Sequence, residues 1–204
     1  MKRLLKTALA ATVLAALGAS AQAADVSFTG QLANDNAVQL FSFTLAADAD
    51  VTLRTWSYAG GVNAAGNAIG AGGFDAIVSL FSGLGAGAIL IGANDDGLGV
   101  AIDPVTGFAY DSLLEFTALV AGSYTVALAE FDNFANGPTL GDGFPGSNVS
   151  GFDGRSAAWA LDILGVDSAN AIPEPASIAL ALFGLAALGA GVGGRRRRES
   201  EAIS

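Results

Sequence analysis

The sequence has 204 residues, of which 52% are hydrophobic and only 14% are charged. It contains neither cysteine nor histidine, which excludes disulfides, thiolate zinc sites and catalysis by Ser-His-Asp or Cys-His groups. The formal net charge is -10, although seven of the nine basic residues lie at the two ends of the chain. The acidic region between them, with only Arg54 and Arg155, argues against nucleic-acid and anionic-lipid partners.

The first 23 residues have the three parts of a secretory signal peptide. Basic residues come first, an apolar run follows over residues 8–17, and small residues stand at Ala21 and Ala23. An amphipathic surface helix is the alternative, but polar residues are missing from the middle of the run. The run is also too short for a permanent membrane anchor. We therefore predict export and cleavage after Ala23 by signal peptidase.

Residues 24–171 are predicted to form one acidic, all-β domain, a single β-sandwich or jelly roll. Hydrophobic residues alternate there with period two, and Gly, Asn and Asp clusters separate the segments. Rows such as Phe41, Phe43 and Leu45, or Trp159, Leu161 and Ile163, are expected to form the core. The eight predicted strands are residues 26–32, 38–45, 51–58, 76–81, 88–92, 112–119, 123–131 and 157–164.

Alternation in the third predicted strand places Arg54, Trp56 and Tyr58 on one face, opposite a more apolar face. A cation and two aromatic rings exposed together would form a platform on which sugar rings stack. The alternative is that Trp56 belongs to the core and that the stem of Arg54 covers it. The sequence leaves both interpretations open.

A corner with paired carboxylates follows the fifth predicted strand. Asp95 and Asp96 stand there between Asn94 and Gly97, and further aspartates lie near other loops. Hard oxygen ligands converging at strand ends suit calcium as a cofactor. However, the EF-hand pattern is absent, and Asn-Asp and Asp-Gly pairs are ordinary turn formers. The corner is thus either a calcium site or a plain turn.

Residues 176–194 form an uncharged stretch that ends at Arg195, Arg196, Arg197 and Arg198. As a helix it would extend about 28 Å, just enough to cross a bilayer. The arginines act as a stop-transfer signal that stays in the cytoplasm together with residues 199–204, which holds the acidic domain outside. A buried core helix is the alternative, but it leaves the arginines unexplained.

Two prolines precede this predicted span. Pro173 and Pro175 lack amide donors and hold the backbone around Glu174 extended. Such an accessible strip is what a processing enzyme needs. Alternatively, Pro175 simply opens the helix, with Glu174 near its positive dipole end.

The whole tail, with Pro173, Glu174 and Pro175, the Leu/Ala/Gly span and the arginine cluster, closely resembles the bacterial PEP-CTERM sorting signal. That resemblance implies processing by an exosortase, an integral membrane enzyme, after a transient stay in the inner membrane. It further implies export by a Gram-negative bacterium that makes extracellular polysaccharide, and an association with biofilm or floc matrix. Residues 172–198 are the predicted sorting signal, and Ile172 replaces the valine that is frequent at the first position.

Segments 39–45, 94–96 and 121–126, within residues 26–166, resemble the pre-peptidase C-terminal domain. That family is a β-sandwich found in exported proteins, some members of which bind calcium or matrix polymers. The sequence therefore predicts a non-enzymatic, exported structural or interaction protein at the cell surface or in the matrix. The alternative is a carbohydrate- or calcium-binding module. A hydrolase with paired carboxylates is a third hypothesis, for which the spacing indicates no pair.

Overall fold

A computed structural model describes residues 24–173 of the chain. The predicted signal peptide with Ala21 and Ala23 lies outside the described residues. So do Glu174, Pro175, the predicted span 176–194, the predicted stop-transfer arginines and the predicted tail 199–204. Within residues 24–173, no helix has the length and hydrophobicity needed to cross a bilayer.

The described residues form an all-β fold, as predicted, with two short 3₁₀ turns at Leu140–Asp142 and Gly151–Gly154. The strands are β1 (Ala24–Gln31), β2 (Gln39–Leu45), β3 (Ala49–Thr55), β4 (Gly61–Val62), β5 (Ala68–Ile69), β6 (Ala76–Ser82), β7 (Ile89–Asn94), β8 (Leu113–Leu119), β9 (Gly122–Glu130), β10 (Ala158–Val166) and β11 (Ser168–Ile172). Each of the eight predicted strands is present, with ends shifted by three residues or fewer.

Two antiparallel sheets enclose one hydrophobic core in a sandwich-like arrangement. The first sheet has the order β1-β10-β3-β8, the second has the order β11-β2-β9-β6-β7, and β4 and β5 form a separate hairpin. Leu53 and Leu161 enter the core from the first sheet, and Phe41 and Phe43 enter it from the second. Since disulfides are impossible, burial of apolar surface at roughly 25 cal/mol per Å² is the main stabilising contribution.

The predicted core position of Trp159 is confirmed, because only 7% of its surface is exposed. Gly30 on the neighbouring strand lies directly against its indole, where an added Cβ would collide with Cζ2. A glycine at this register position lets β1 pass over the large ring. Alternation thus predicted the burial of the tryptophan, while the small partner that makes room for it is visible only in three dimensions.

The third strand ends at Thr55, three residues earlier than predicted. The cause is Asp111, a buried carboxylate that binds the chain just beyond the strand. Its Oδ1 accepts hydrogen bonds from Thr55 Oγ1 at 2.9 Å and from the Tyr58 amide at 3.0 Å, and its Oδ2 accepts one from the Ala59 amide at 2.9 Å. These bonds replace the strand ladder, so period-two alternation stops before Tyr58.

The strand β11 was not predicted from the sequence. The chain leaves β10 at Gly165, which has a φ of 79° and no room for a Cβ beside the Asp50 carbonyl oxygen. It then crosses to the second sheet, where β11 pairs with β2, with Ile172 opposite Leu40. The sandwich therefore continues through Ile172, one residue beyond the predicted end of the domain.

Candidate functional site

The C-terminal edge of the second sheet holds the last described residues in place. Antiparallel pairing with β2 extends to Ile172, and the Gln39 side-chain amide donates a hydrogen bond to the Ile172 carbonyl oxygen at 3.1 Å. Ala169 of β11 packs against the core. Pro173, the first residue of the predicted sorting motif, follows this pinned strand directly. The edge strand and the motif therefore have no intervening linker.

Of the three residues of the predicted platform, only Arg54 and Trp56 contact each other in the structure. The Arg54 guanidinium lies 3.8 Å from the centroid of the Trp56 ring, so these two side chains do stack. The Trp56 Nε1 donates a hydrogen bond to Asp162 Oδ2 at 2.7 Å, and Gly61 packs against the same indole. The Trp56 ring is thus already in contact with its own chain, and both side chains are half-buried.

Tyr58 does not share that face. It is 5% exposed, and the Arg155 guanidinium lies 3.6 Å from its ring centroid. Placing Tyr58 on the platform with Arg54 and Trp56 was therefore wrong, because the strand on which the alternation was counted ends at Thr55. Instead, Tyr58 packs beside Tyr110, with the ring centroids 5.0 Å apart.

Asp95 and Asp96 lie in the turn that follows β7. The Asp95 carboxylate accepts a hydrogen bond from the Asp96 amide at 2.8 Å, while Asn94 bridges to the Leu113 amide at 2.9 Å. These contacts account for the turn itself. Within residues 24–173, no group of three or more acidic side chains is arranged so that it could hold a metal ion. Calcium at this corner stays a prediction.

A groove of about 550 Å³ runs between β1, β10 and the β4–β5 hairpin, and we call it the Trp159 groove. Its wall includes Trp159 and the polar residues Thr29, Gln31, Ser57 and Ser156. The Trp159 Nε1 is buried and donates no hydrogen bond within the described part of the chain. Its volume falls within the range of small-molecule sites, roughly 300–1,000 Å³. The groove therefore has the size of a small-molecule site and a partly polar wall, although the Trp159 N–H itself is buried.

A second, smaller cavity of about 90 Å³ lies where β6 begins and β9 ends. We call it the acidic cavity, because Asp75 and Glu130 both line it, together with Tyr58, Tyr110 and Arg155. Pairing of β6 with β9 sets Ala76 opposite Glu130, which brings the neighbouring Asp75 close to Glu130. Sheet register thus brings together two carboxyls that are 55 positions apart in the sequence.

The two carboxyls of the acidic cavity are poorly compensated. Asp75 Oδ1 and Glu130 Oε2 are buried without a hydrogen-bond partner among the described residues. Burial, with Asp96, Asp95 and Asp111 nearby, raises the pKa of Asp75 to about 7. Burial, with a smaller contribution from Asp75, raises the pKa of Glu130 to about 8. Both groups consequently hold a proton far into the neutral range unless a cation joins them.

Arg155, which also lines the acidic cavity, is engaged elsewhere. Its Nη2 donates hydrogen bonds to Asp103 Oδ2 at 2.6 Å and to the Tyr58 carbonyl oxygen at 2.7 Å. The hydrogen bond from Arg155 lowers the pKa of Asp103, so this pair is ionised. The guanidinium charge is therefore largely offset by Asp103 rather than by the cavity carboxyls.

Asp75 is one of the further aspartates near predicted loops, and Glu130 was not predicted as a site residue. The sequence does carry a signal for Glu130, because Tyr124, Val126 and Leu128 form an alternating hydrophobic row in the predicted strand 123–131. Glu130 is the next residue in that period-two row, and it is 1% exposed. A charged residue that continues a buried row marks a position where a carboxyl is forced inside.

The comparisons with known proteins concern the C-terminal end. Residues 171–198 match the PEP-CTERM protein-sorting motif. No curated protein matches the chain. The match confirms the predicted sorting signal, and it begins within β11, at the pinned edge of the sandwich. The chain is therefore an exported protein that carries a sorting signal for an exosortase.

Proposed function

We propose that this protein is a non-enzymatic component of the extracellular polysaccharide matrix, delivered there after signal peptidase and exosortase have removed its two ends. The observation that carries the proposal is the sorting motif at residues 171–198, attached without a linker to a folded acidic sandwich. The inner membrane holds the chain only transiently, and the sandwich is the part that reaches the surface of a Gram-negative cell or its biofilm.

Composition and the acidic cavity support a non-enzymatic role. The chain has no His or Cys, and glycoside hydrolysis requires one ionised and one protonated carboxyl beside a sugar ring. Asp75 and Glu130 have no room for such a ring beside them, because their cavity of about 90 Å³ is smaller than a sugar site. The resemblance of residues 26–166 to the pre-peptidase C-terminal domain, itself a proposal, agrees with an accessory sandwich.

Fractionation of cells with and without the exosortase tests the proposal. With the enzyme present, we expect the sandwich in the extracellular matrix fraction. Without the enzyme, we expect the chain to accumulate in the inner membrane with residues 176–204 still attached. Equal amounts in the matrix of both strains would contradict the proposal. A control substrate with a signal peptide alone should be exported equally by both.

The pinned edge of β11 leads to a prediction about the processing rate. Processing enzymes act on extended, unpaired backbone, and Gln39 with β2 holds the residue that precedes Pro173. Replacing Gln39 by Ala removes two side-chain hydrogen bonds, one of them to Ile172, which we expect to speed processing by roughly two- to fivefold. Pulse-chase labelling measures this rate. The matched control is Gln31→Ala on β1, in the other sheet, which should leave the rate unchanged; equal rates for both variants would contradict the prediction.

A second candidate function, saccharide binding, is favoured by the Trp159 groove. The polar wall residues Thr29, Gln31, Ser57 and Ser156 suit hydroxyl groups, and the groove is large enough for a sugar unit. This proposal places the binding site in the Trp159 groove and not at Arg54 and Trp56, because the Trp56 ring already contacts Gly61. In this second function, the sandwich binds the polysaccharide of the matrix in which it lies.

Fluorescence titration with oligosaccharides from the matrix tests this second function. We expect Gln31→Ala, which removes a polar side chain from the wall of the groove, to weaken binding, and Trp159→Phe, which changes the indole in that wall, to weaken it as well. Trp56→Phe serves as the matched control and should leave binding unchanged. If Trp56→Phe abolishes binding and Trp159→Phe does not, the platform at Arg54 and Trp56 is the binding site instead.

A further inference from the structure

We propose that the acidic cavity is a binding site for a primary ammonium group, which inserts between the carboxyls of Asp75 and Glu130. This inference is independent of the proposed matrix function. Both carboxyls offer a buried oxygen without a hydrogen-bond partner in the described part of the chain, and Glu130 is 1% exposed. Leaving a buried acceptor unsatisfied is costly, so a donor that enters the cavity gains more than it would in water.

The counter-charge has to come from outside the sandwich. Between residues 24 and 173 the only basic side chains are Arg54 and Arg155. Arg54 stacks on Trp56, and Arg155 forms an ion pair with Asp103. Arg155 lines the cavity and lowers the pKa of Asp75 slightly, but burial and the acids outweigh it. The other charged groups that act on the two carboxyls are acidic: Asp35, Asp95, Asp96, Asp111 and Asp153.

The walls favour an ammonium group over a metal ion. Calcium takes six to eight oxygen ligands, whereas the acids in the wall are Asp75, Glu130 and Asp153, and the rest of the wall includes the side chains of Phe131, Val149 and Phe152. Within residues 24–173, no cluster of three acidic side chains suits a metal. An ammonium group donates directly to two carboxylate oxygens, and it needs no further oxygen ligands.

The size of the cavity limits what enters it. About 90 Å³ corresponds to roughly three water molecules at ~30 Å³ each, which is room for an ammonium head and its adjoining carbon. The body of a larger amine therefore stays outside the cavity. Methylammonium is the smallest probe with the required N–H donors, and tetramethylammonium is the matched cation without them.

Thermal unfolding of the full chain in a non-ionic detergent and an amine-free buffer tests the site. At about pH 8.5, where both carboxyls are ionised, we expect methylammonium chloride to raise Tm more than the same concentration of sodium or tetramethylammonium chloride. At about pH 6 protons occupy the carboxyls and compete with methylammonium for them. The extra rise in Tm should therefore be smaller than at about pH 8.5. Equal effects of all three salts at both pH values would overturn the proposal.

Substitutions locate the effect. Glu130→Gln and Asp75→Asn keep the shape of the side chain and remove its charge, and each should weaken methylammonium binding by roughly tenfold or more. Glu115→Gln changes an exposed acid on β8 and serves as the control, with binding unchanged. A Tm rise that persists in both cavity variants would overturn the proposal, as would a larger rise produced by calcium chloride. Either of the two variants suffices if the other fails to fold.

Discussion

Asp111 and Glu130 are equally buried, each 1% exposed, but their surroundings are opposite. Asp111 accepts three hydrogen bonds, from Thr55 and from two consecutive backbone amides. Glu130 ends a strand with Oε2 unpaired in the described part of the chain, beside a second carboxyl. Burial alone therefore does not reveal how a carboxyl affects the stability of the fold. The hydrogen-bond donors around it decide this.

The difference separates a structural acid from a candidate binding acid. Asp111 ends β3 and fixes the following turn, so its charge is used within the fold. Glu130 costs the fold free energy that a cation or a proton can recover. The same sandwich thus contains one carboxylate that stabilises it and one carboxyl that destabilises it when it ionises, at about pH 8.

The largest expected effect is the loss of Asp111. In Asp111→Ala, two backbone amides and a threonine hydroxyl lose their acceptor, which should lower the free energy of unfolding by about 3 kcal/mol or more. Chemical denaturation measures the change. The control Asp95→Ala removes a single local hydrogen bond at the surface and should cost far less. Similar losses in both variants would contradict the distinction between the two acids.

The next effect has the opposite sign. Glu130→Gln removes a buried charge while preserving the size of the side chain, so at about pH 8.5 we expect Tm to rise by several degrees, corresponding to about 1–2 kcal/mol. Differential scanning calorimetry measures the shift. A fall in Tm would mean that the Glu130 carboxylate is stabilising, like that of Asp111.

The pH dependence of the unmodified protein is a smaller and more gradual effect. Because the folded-state pKa values of Asp75 and Glu130 are raised to about 7 and about 8, the folded chain binds more protons than the unfolded chain above about pH 4. Stability should therefore fall as pH rises towards 8 and level off above it. Denaturation across this range measures the slope, which should be shallower in Glu130→Gln. A slope that is unchanged by the substitution would assign it to other groups.

The smallest effect is expected at the solvated corner. Asp95 and Asp96 are already engaged in a turn, so Asp96→Asn should change stability by less than about 0.5 kcal/mol. Calcium and a chelator should give the same Tm for the unmodified protein. A rise with calcium that Asp96→Asn abolishes would establish the calcium site that the sequence also allowed.

The strands and the burial of Trp159 could be predicted from the sequence, because alternation records directly which face is buried. The face of Tyr58 could not, since the strand is ended by Asp111, a residue 53 positions away. The short segment that forms β11 has weak alternation, and it becomes a strand because β2 offers an open edge. Hydrophobic alternation along a segment therefore does not predict long-range hydrogen bonds or the pairing of an edge strand.

The sorting signal and the acidic cavity differ in the same way. The signal is a linear motif, so Pro173 and the tail that follows could be recognised without a structure, and the match at residues 171–198 confirms this. The pairing of Asp75 with Glu130 depends on the register between β6 and β9, which no spacing in the sequence encodes. Glu130 alone had a readable signal, as the charged end of an apolar row.

The intact mass of the protein recovered from the outer surface most directly tests whether the tail is a temporary sorting handle. We expect the mass of a chain that begins at Ala24, retains the sandwich through β11 and lacks residues 176–204. A surface-recovered chain that still contained residues 176–204 would show that the exosortase signal is not processed.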